Sequence, residues 1–208
     1  MAARRLAVSD VHGEGHRLEA VLKQAQYEPL SDKLYLLGDY IDRGTDSKYT
    51  VQFVQELQRV GAVVLMGNHE YMLSNRTDKT EYENWLQNGG RKTISDFGGP
   101  VPDPVCQWAD ALPYYHEEVD AIFVHAGYNP NVPMHRQSRE YMVWAREEFF
   151  LYTKVPKLTI FGHTPINIMC YGEPTIWRGQ NKVCIDTGAA YGGKLTLYDA
   201  DHDMCWQA

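Results

Sequence analysis

The sequence predicts an α/β fold in which two sheets carry helices on their outer faces. Short apolar runs at residues 5–8, 34–37 and 62–66 alternate with segments whose apolar residues recur at helical spacing. Buried strands that alternate with helices are typical of a parallel sheet with helices packed on it. The last third of the chain returns to short apolar runs with few helical patterns, and it predicts a second sheet.

The remaining elements follow from local patterns in chain order. Apolar residues at helical spacing within 18–25 and 51–57 predict the first two helices. Residues 71–112 are rich in polar and aromatic side chains and in glycine pairs, which favour short helices and loops. After a predicted hairpin, residues 138–150 favour a further helix. The hairpin strands and the strands of the last third lie at residues 114–118, 121–124, 158–161, 183–185, 195–198 and 204–206.

Length and composition limit the classes of protein to which the chain can belong. With 208 residues, 44% of them hydrophobic and 23% charged, the sequence predicts one folded domain over 1–208 and excludes a disordered, collagen-like or coiled-coil chain. The net charge of −7 argues against nucleic acid as a partner, because phosphate-binding surfaces are normally basic. No apolar run reaches about 18 residues, so a membrane span is not expected. The chain turns polar at Ser9 and Asp10, which leaves no room for the apolar region of a secretory segment. Four widely spaced cysteines without a CxxC pair favour reduced thiols and a cytoplasmic location.

Five predicted strands each run directly into acidic, amide or histidine side chains that stand beside a glycine. In open α/β sheets, ligands bind at the carboxyl ends of the strands, so these loops are expected to converge on one place. Glycine lets the backbone turn sharply and come close to a ligand. The residues at these strand ends are Asp10 and His12, Asp39 and Asp42, Asn68 and His69, His125, and His163.

These residue types indicate a metal site. A single Gly-Asp or Asn-His pair is more often an ordinary turn, and a single histidine is more often a hydrogen-bonded surface residue. Turns alone do not explain why five successive strand ends carry Asp, Asn and His. A shell of oxygen and nitrogen ligands without thiolate favours Mn, Fe or Zn over copper or an iron–sulfur cluster.

Three sequence blocks at these strand ends resemble the signature of a known family. The chain reads DVHG at residues 10–13, GDYIDRG at 38–44 and GNHE at 67–70, and two further histidines follow at His125 and His163. In this order, the blocks resemble the phosphoprotein phosphatase (PPP) family of metallophosphoesterases, especially its short bacterial and phage members. Three ordered blocks are a far more specific signal than any one of them alone.

The resemblance implies a four-layer αββα sandwich of two mixed sheets flanked by helices. It also implies a centre of two divalent metal ions, with manganese expected and iron or zinc as alternatives. Asp10 and His12 would hold the first ion, and Asp39 would bridge both, since a carboxylate has two oxygens. A water between the two ions is then the expected nucleophile, and no covalent phosphoenzyme is needed. The ligands implied for the second ion are Asn68, His125 and His163.

The resemblance implies roles for four further residues. His69 is expected to be the general acid that protonates the leaving alkoxide, and Asp42 is expected to orient it. Arg43 is expected to bind phosphate oxygens, because a planar fork of donors suits that geometry. Arg146, in a Trp-x-Arg sequence, is the candidate for a second phosphate-binding arginine, and the alternative is an arginine on a helix surface. The histidines that match no block are expected outside the site: His16, His116, His135 and His202.

The function that the resemblance implies is hydrolysis of phosphomonoesters, with phosphoserine and phosphothreonine of proteins as the expected substrates. The alternative is hydrolysis of dinucleoside polyphosphates such as diadenosine tetraphosphate, because the family contains such enzymes with the same blocks. Residues 71–112 and 128–136 are expected to decide between a phosphorylated protein and a phosphorylated small molecule. A nuclease is disfavoured by the acidic net charge, and a binding module without chemistry is disfavoured by the complete set of ligands. The residues that could bind a base and extra phosphates, or could be ordinary surface and core, are Tyr82, Trp85, Arg91 and Lys92.

Overall fold

The computed structural model describes residues 3–169 and 175–208, and within them the chain forms two five-stranded sheets. Cys170, one of the four cysteines predicted to be reduced, lies outside these residues. In chain order the strands are β1 (Arg5–Val8), β2 (Lys33–Leu36), β3 (Val63–Val64), β4 (Tyr115–Glu117), β5 (Ala121–Val124), β6 (Leu158–Phe161), β7 (Trp177–Gly179), β8 (Lys182–Cys184), β9 (Thr196–Asp199) and β10 (Met204–Gln207).

Both sheets are mixed. The first has the order β10-β9-β1-β2-β3, in which β1 is parallel to β2 and antiparallel to β9. The second has the order β4-β5-β6-β8-β7, in which β5, β6 and β8 are parallel and the two edge strands are antiparallel to them. The parallel strands of each sheet point their carboxyl ends to one edge, which is where ligands bind in such sheets.

Helices connect the strands and cover the outer faces. The helix α2 (Ser47–Arg59) begins where the side chain of Asp46 accepts a hydrogen bond from the N–H of Tyr49. The helix α4 (Lys79–Trp85) begins at an equivalent cap, Asp78. A single π-helical turn at Leu86–Gly90 follows α4, and another at Glu148–Tyr152 follows α7 (Arg139–Trp144). The helices are α1 (Gly15–Gln24), α2 (Ser47–Arg59), α3 (Asn68–Ser74), α4 (Lys79–Trp85), α5 (Arg91–Asp96), α6 (Asp103–Asp110), α7 (Arg139–Trp144) and α8 (Ile166–Met169).

Side chains that alternate along the strands place each sheet between a helical layer and the other sheet. Leu6 and Val8 of β1 pack with the apolar residues of α1 and α2. Ala7, between them, packs with residues of the second sheet. Across the interface Tyr35 stacks on Phe123, with ring centroids 3.7 Å apart. The layers are therefore helix, sheet, sheet and helix, which confirms the predicted fold class.

The assignment of the last third of the chain to a second sheet is wrong for its final strands. β9 returns to the first sheet and pairs with β1, where Ala7 lies opposite Tyr198, and β10 extends the same edge. The apolar run that predicts β9 is a local pattern. It contains no information about which strand supplies its hydrogen-bond partners.

Two predicted elements are shorter than expected. The helix predicted over 138–150 stops at Trp144, because the carbonyl of Met142 accepts from the N–H of Ala126 at 3.0 Å in place of the next helical turn. The strand predicted over 62–66 pairs only at Val63–Val64, and the N–H of Met66 donates to the carbonyl of Pro113 at 2.8 Å.

Among the described residues, none of the helices is both long enough and apolar enough to cross a membrane.

Candidate metal centre

The loops that follow five strands meet at one edge of the molecule, where the carboxyl ends of both sheets lie. Two backbone hydrogen bonds join the loops after β1 and β2: Asp10 N–H donates to Gly38 O at 3.2 Å, and His12 N–H donates to Asp39 O at 2.7 Å. Across the two sheets, the N–H of His163 donates to Asp10 Oδ2 at 2.9 Å. The structure thus brings together the strand ends that the sequence singled out.

The backbone of these loops is strained. Among the described residues, nine non-glycine residues have positive φ, and six of them lie in these loops, with φ between 44° and 71°. A side chain in this region costs about 1–3 kcal/mol, and such strain is concentrated where function fixes the backbone. At Gly38, which has φ of 107°, a Cβ would collide with the backbone of Gly67, so only glycine fits there. The six residues are Asp10, His12, Asp39, Asp42, Arg43 and His163.

Three uncharged side chains form one group of ligand atoms. Asn68 Oδ1 lies 3.0 Å from His125 Nε2 and 2.8 Å from His163 Nδ1, and the two ring nitrogens are 3.2 Å apart. His125 Nδ1 is 2.9 Å from the carbonyl of Leu37, which can only accept, so this nitrogen carries the proton. His125 Nε2 therefore presents a lone pair to the oxygen of Asn68. A cation bound beside these two atoms would stabilise both lone pairs.

Asp39 connects this group, called the second group below, to a first group that lies around His12. Its Oδ1 lies 3.6 Å from His125 Nε2, and its Oδ2 lies 3.3 Å from His12 Nε2. His12 Nδ1 is 3.0 Å from the carbonyl of Ile41, so the Nε2 of His12 also presents a lone pair. Metal-bound histidines are commonly oriented in this way by a hydrogen bond from the other ring nitrogen. One carboxylate with an oxygen toward each group is the geometry that a shared ligand requires.

Asp10 occupies a different place from the other predicted ligands. Its Oδ2 accepts hydrogen bonds from the Ser9 hydroxyl and from the N–H of His163. Among the described residues, the ligand atoms of His12, Asp39 and His69 lie within 4.8 Å of one another, as do those of Asp39, His125 and His163. The first group thus contains His69 where the resemblance implied Asp10. The role of Asp10 as a ligand stays a prediction.

The electrostatics of the centre fit bound cations. Burial raises the pKa of Asp39 well above its usual range, and the nearby charges of Asp10 and Glu70 raise it further. Burial also lowers the pKa of His12 and His125, which keeps their rings neutral. Metal ions bind neutral imidazoles and ionised carboxylates, so the buried Asp39 needs nearby cations to stay ionised. The donor set therefore fits two divalent ions that share Asp39, and its chemistry matches manganese, iron or zinc.

His69, a member of the first group, forms a buried pair with Asp42. His69 Nδ1 lies 2.6 Å from Asp42 Oδ2, and both side chains are fully buried. His69 Nε2 has no hydrogen-bond partner among the described residues and lies 3.9 Å from Asp39 Oδ2. Burial lowers the pKa of His69 well below its usual range and raises the pKa of Asp42 to about 7. The contact with Asp42 thus orients the ring so that Nε2 faces the centre.

Two residues that hold Asp42 were missed by sequence reasoning. Trp85 Nε1–H donates to Asp42 Oδ2 at 2.9 Å, and the Thr93 hydroxyl donates to Oδ1. They lie 43 and 51 residues further along the chain, in the region from 71 to 112. A tryptophan at a buried helix position is predicted as core, so the sequence carries no signal for this contact.

Two arginines lie beside the centre. The Nη1 of Arg43 is 3.1 Å from His12 Nε2, and its guanidinium lies 5.2 Å from the ring centroid of Tyr191, a contact that sequence reasoning missed. Arg146 is exposed where the chain leaves α7. After burial, the charge of Arg146 is among the causes that lower the pKa of His163. Both cations can therefore act on an anion at this centre.

Glu70 is buried and connects the loop after β2 to α3. Its carboxylate accepts from the N–H groups of Asp39 and Tyr40 at 2.8 Å each, and from Gly67 at 3.1 Å. Burial raises its pKa to about 7. Its role in the structure is to hold the backbone of Asp39 rather than to face the ligand atoms.

The four histidines expected outside the site are exposed or paired elsewhere. His16 stacks on Tyr49 with centroids 4.3 Å apart, and His202 contacts Asp199 at 2.9 Å. His116 lies 3.4 Å from Glu118, and His135 is exposed. Within the described residues, none of these four belongs to either group of ligand atoms.

This is the fold and the site of a metal-dependent phosphoesterase. The sequence model described as calcineurin-like phosphoesterase matches residues 3–198, and the chain belongs to that family. The chain is also similar to two kinds of curated bacterial enzyme and to a solved structure that shares its fold.

The names of the curated relatives indicate different substrates. The chain is 28% identical to "Serine/threonine-protein phosphatase 1" of Salmonella typhimurium over 208 residues, which cover 91% of this chain and 88% of the relative. It is 29% identical to "Bis(5'-nucleosyl)-tetraphosphatase, symmetrical" of Methylobacillus flagellatus over 133 residues, which cover 60% of this chain. The match spans only 43% of the length of that tetraphosphatase. A crystal structure of a candidate diadenosine tetraphosphatase superposes with a TM-score of 0.77 at 20% identity, over 100% of this chain and 94% of that one, which shows the shared fold.

Proposed function

We propose that this protein is a metal-dependent phosphomonoesterase that acts on phosphoserine and phosphothreonine in proteins. The observation that carries this proposal is the position of Asp39 between two groups of ligand atoms, with the Nε2 of His69 facing the same space. Similarity to a serine/threonine-protein phosphatase over 91% of the chain supports the substrate class. Manganese as the metal and a cytoplasmic location are part of the same proposal.

The residues of the centre would hold the metal ions that the reaction needs. Divalent ions, when bound, would supply positive charge that offsets the charge of the phosphate and makes water a stronger nucleophile. Asp39, His12, Asn68, His125 and His163 would hold these ions, and Asp10 would complete the shell.

The chain's own donors would handle the substrate. Arg43 and Arg146 would bind the non-bridging oxygens of the phosphate, since guanidinium groups match their geometry. As water attacks phosphorus and the bond to the serine oxygen breaks, His69 Nε2–H would give its proton to that leaving oxygen. Proton donation of this kind contributes about 10²–10⁴ in rate. Asp42 would keep the ring in place through its 2.6 Å contact with Nδ1.

A second candidate function is hydrolysis of dinucleoside polyphosphates, which the similarity to tetraphosphatases favours. Of the residues that could bind a base, Trp85 is buried and donates its indole N–H to Asp42. Lys92 forms an ion pair with Asp96. Tyr82 and Arg91 line a separate cavity of about 520 Å³ and are accessible there. A direct comparison of rates on a phosphoserine peptide and on diadenosine tetraphosphate, with Mn²⁺ present, would distinguish the two functions.

Removal of metal tests the whole proposal. After exhaustive chelation, checked by elemental analysis, the protein should lose its activity on p-nitrophenyl phosphate, and added Mn²⁺ should restore it. The physical reason is that the nucleophile depends on the charge of the bound ions. Full activity in protein shown to contain no metal would contradict the proposal.

A further inference from the structure

A bent segment joins α4 to α5 and packs on the loop that follows β2. It runs from Trp85 to Thr93 and contains the π-helical turn Leu86–Gly90. The chain bends at Gly89, where φ is 122° inside an otherwise helical stretch. In a straight helix, Trp85 and Thr93 would stand about 12 Å apart along the axis. The bend shortens this span, and interruptions of this kind in helices are frequent at functional sites.

Both ends of the bent segment bind the carboxylate of Asp42. Trp85 Nε1–H donates to its Oδ2 at 2.9 Å, and the Thr93 hydroxyl donates to its Oδ1. His69 Nδ1 lies 2.6 Å from the same Oδ2. All four side chains are buried. Rotation of the carboxylate away from His69 would therefore leave donors of the segment unpaired in a buried place, which is costly.

Thr93 also holds the backbone of Asp42. Its hydroxyl oxygen accepts from the N–H of Asp42 at 3.0 Å, and the Oγ of Ser47 accepts from the same N–H at 3.0 Å. The φ of Asp42 is 71°, a conformation that a side chain adopts only where the surroundings fix it. One threonine thus supports both the main chain and the carboxylate of this residue.

The bend itself packs against Asp42 and Arg43. A Cβ added at Gly89 would lie 3.0 Å from the Cβ of Asp42 and 3.1 Å from the Cγ of Arg43. Carbon atoms normally pack at about 3.5–4.0 Å, so the glycine allows a contact that no other residue could make. The segment therefore touches the residue that orients the proposed acid and the arginine that would bind phosphate.

We infer that the bent segment positions two residues for the reaction, so that Asp42 faces His69 and Arg43 faces the phosphate. This inference rests on the proposed function, because it takes His69 as the acid and Arg43 as a phosphate ligand. The residues of the segment are positioning residues, which act through Asp42 and Arg43. Loss of a donor to Asp42 should impair proton donation alone, whereas pressure on Arg43 should impair phosphate binding.

The contact between His69 and Asp42 can be read in metal-free protein without any reaction. A short hydrogen bond between a ring nitrogen and a carboxylate gives a proton resonance far downfield, and its loss in His69→Asn assigns it. Trp85→Phe and Thr93→Val each remove one donor to Asp42 and nearly keep the shape of the side chain. Either variant should therefore shift this resonance or remove it, and one that folds is sufficient for the test.

Two matched controls remove the same chemical groups elsewhere. Trp108→Phe removes an indole N–H that donates to Gln58 at 2.8 Å. Thr159→Val removes a buried hydroxyl that lies 3.4 Å from the hydroxyl of Tyr128. Both controls should leave the resonance of His69 unchanged. An unchanged resonance in the variants of the bent segment would overturn the inference.

Kinetics with Mn²⁺ give a second readout for Trp85 and Thr93. Trp85→Phe and Thr93→Val should lower kcat on a phosphoserine peptide by up to about 100-fold with KM unchanged, because the acid is misplaced. The loss on p-nitrophenyl phosphate should be small, because its leaving group needs little help. Thr93→Ser keeps the hydroxyl and should restore kcat, although it removes a buried methyl group. Equal losses in Thr93→Ser and Thr93→Val would overturn the inference.

Gly89→Ala tests the contact with Arg43. The added methyl group would push on Arg43, so inhibition by inorganic phosphate should weaken about tenfold, as for the loss of one hydrogen bond to a charged group. Gly61→Ala is the matched control, because its φ of 111° is also unfavourable for alanine but no described atom lies within 4 Å of the added carbon. No loss in Gly89→Ala, or the same loss in Gly61→Ala, would overturn the inference. If the wild type hydrolyses none of the substrates, the proposed function fails, while the resonance of His69 still decides whether the bent segment holds Asp42.

Discussion

The histidines of the centre differ in which ring nitrogen is free, and that difference determines what each can do. His12 and His125 donate Nδ1–H to backbone carbonyls at 3.0 and 2.9 Å, so their Nε2 lone pairs point inward as ligand atoms. His69 instead places Nδ1 against the carboxylate of Asp42 at 2.6 Å. Burial disfavours a charged ring and lowers the pKa of His69, whereas the carboxylate of Asp42 favours it, so the contact with Asp42 is what would let Nε2 hold a proton.

Replacement of His69 tests whether it is an acid or a ligand. His69→Asn should keep both metals, and its rate loss should grow with the basicity of the leaving group. A p-nitrophenolate leaves with little help, whereas a serine alkoxide needs the proton. The deficit should be small on p-nitrophenyl phosphate and should approach the upper end of about 10²–10⁴ on a phosphoserine peptide.

Asp42→Asn is the companion variant, because it loosens the acid without removing it. It should show a weaker form of the same dependence on the leaving group. Equal losses on both substrates in His69→Asn, together with a missing ion in elemental analysis, would make His69 a ligand of the first group.

Among the residues that the structure describes, Asp39 is the side chain shared by both groups of ligand atoms. Asp39→Asn removes the shared negative charge, and it should cause the largest loss of metal among the ligand variants. His163→Ala is the matched variant that removes a ligand from the second group alone, so it should weaken one ion and spare the other. Metal content per chain after gel filtration measures both. Two ions retained tightly by Asp39→Asn would disprove the bridging role.

At the scale of elements, contacts between strands and loops fix the segment that follows α7. The chain leaves α7 at Ala145, whose ψ of 137° is extended, and so Arg146 points away from the helix. The turn that follows is held by Lys182 of β8, whose Nζ donates to the carbonyls of Phe149 and Phe150 at 2.6 and 3.0 Å. The backbone that follows Arg146 is thus fixed by Lys182, a buried residue of β8.

Glu70 joins the loop after β2 to the start of α3, and Glu70→Gln tests this link. An amide keeps the shape but turns an NH₂ group toward backbone donors, which leaves N–H groups of Asp39 or Tyr40 unpaired in a buried place. The free energy of unfolding should fall by about 1–3 kcal/mol. Metal affinity should fall about 10–100-fold, because Glu70 supports a ligand from behind. Glu56→Gln, exposed on α2, is the control and should change neither quantity. Unchanged metal affinity in Glu70→Gln would show that Asp39 is held without it.

In the whole molecule, the two sheets are also joined at the edge opposite the metal centre. Glu118, after β4, accepts from Tyr35 Oη at 2.7 Å and from Lys33 Nζ at 3.1 Å, and both of these residues lie in β2. These hydrogen bonds lower the pKa of Glu118 to about 2. Because the pair is partly solvated, its contribution is about 1 kcal/mol rather than the full value of the shift.

The pH dependence of stability follows from that shift. The folded pKa of Glu118 lies below the value of 4.5 for an unperturbed glutamate, so its stabilisation is present above pH 4.5 and is lost as the pH falls toward 2. Glu118→Gln should therefore be less stable than the wild type at pH 6, and the difference should shrink at pH 3. Urea unfolding at both pH values measures this. A difference of the same size at both would contradict the assignment to Glu118.

The sequence by itself determined which residues stand at the strand ends and which chemistry they offer. His125 directly follows an apolar run, and Asp39 and Asn68 follow apolar runs after one glycine. Both the apolar pattern and the residue type are local properties. The carboxyl ends of parallel strands meet at one edge, so the approximate position of the centre follows from the pattern of strands and helices. The pattern of strands and helices predicted two sheets with outer helices, and the resemblance to the family implied the four-layer sandwich.

Only the tertiary structure decided which distant residues complete the site. Trp85 and Thr93 reach Asp42 from 43 and 51 residues away, Tyr191 lies under Arg43, and β9 pairs with β1. Each of these contacts depends on how elements pack, and packing selects partners by shape and by hydrogen-bond geometry that no local pattern specifies. The break after α7 has the same origin, because Ala126, from a different strand end, takes the carbonyl that the next helical turn would need.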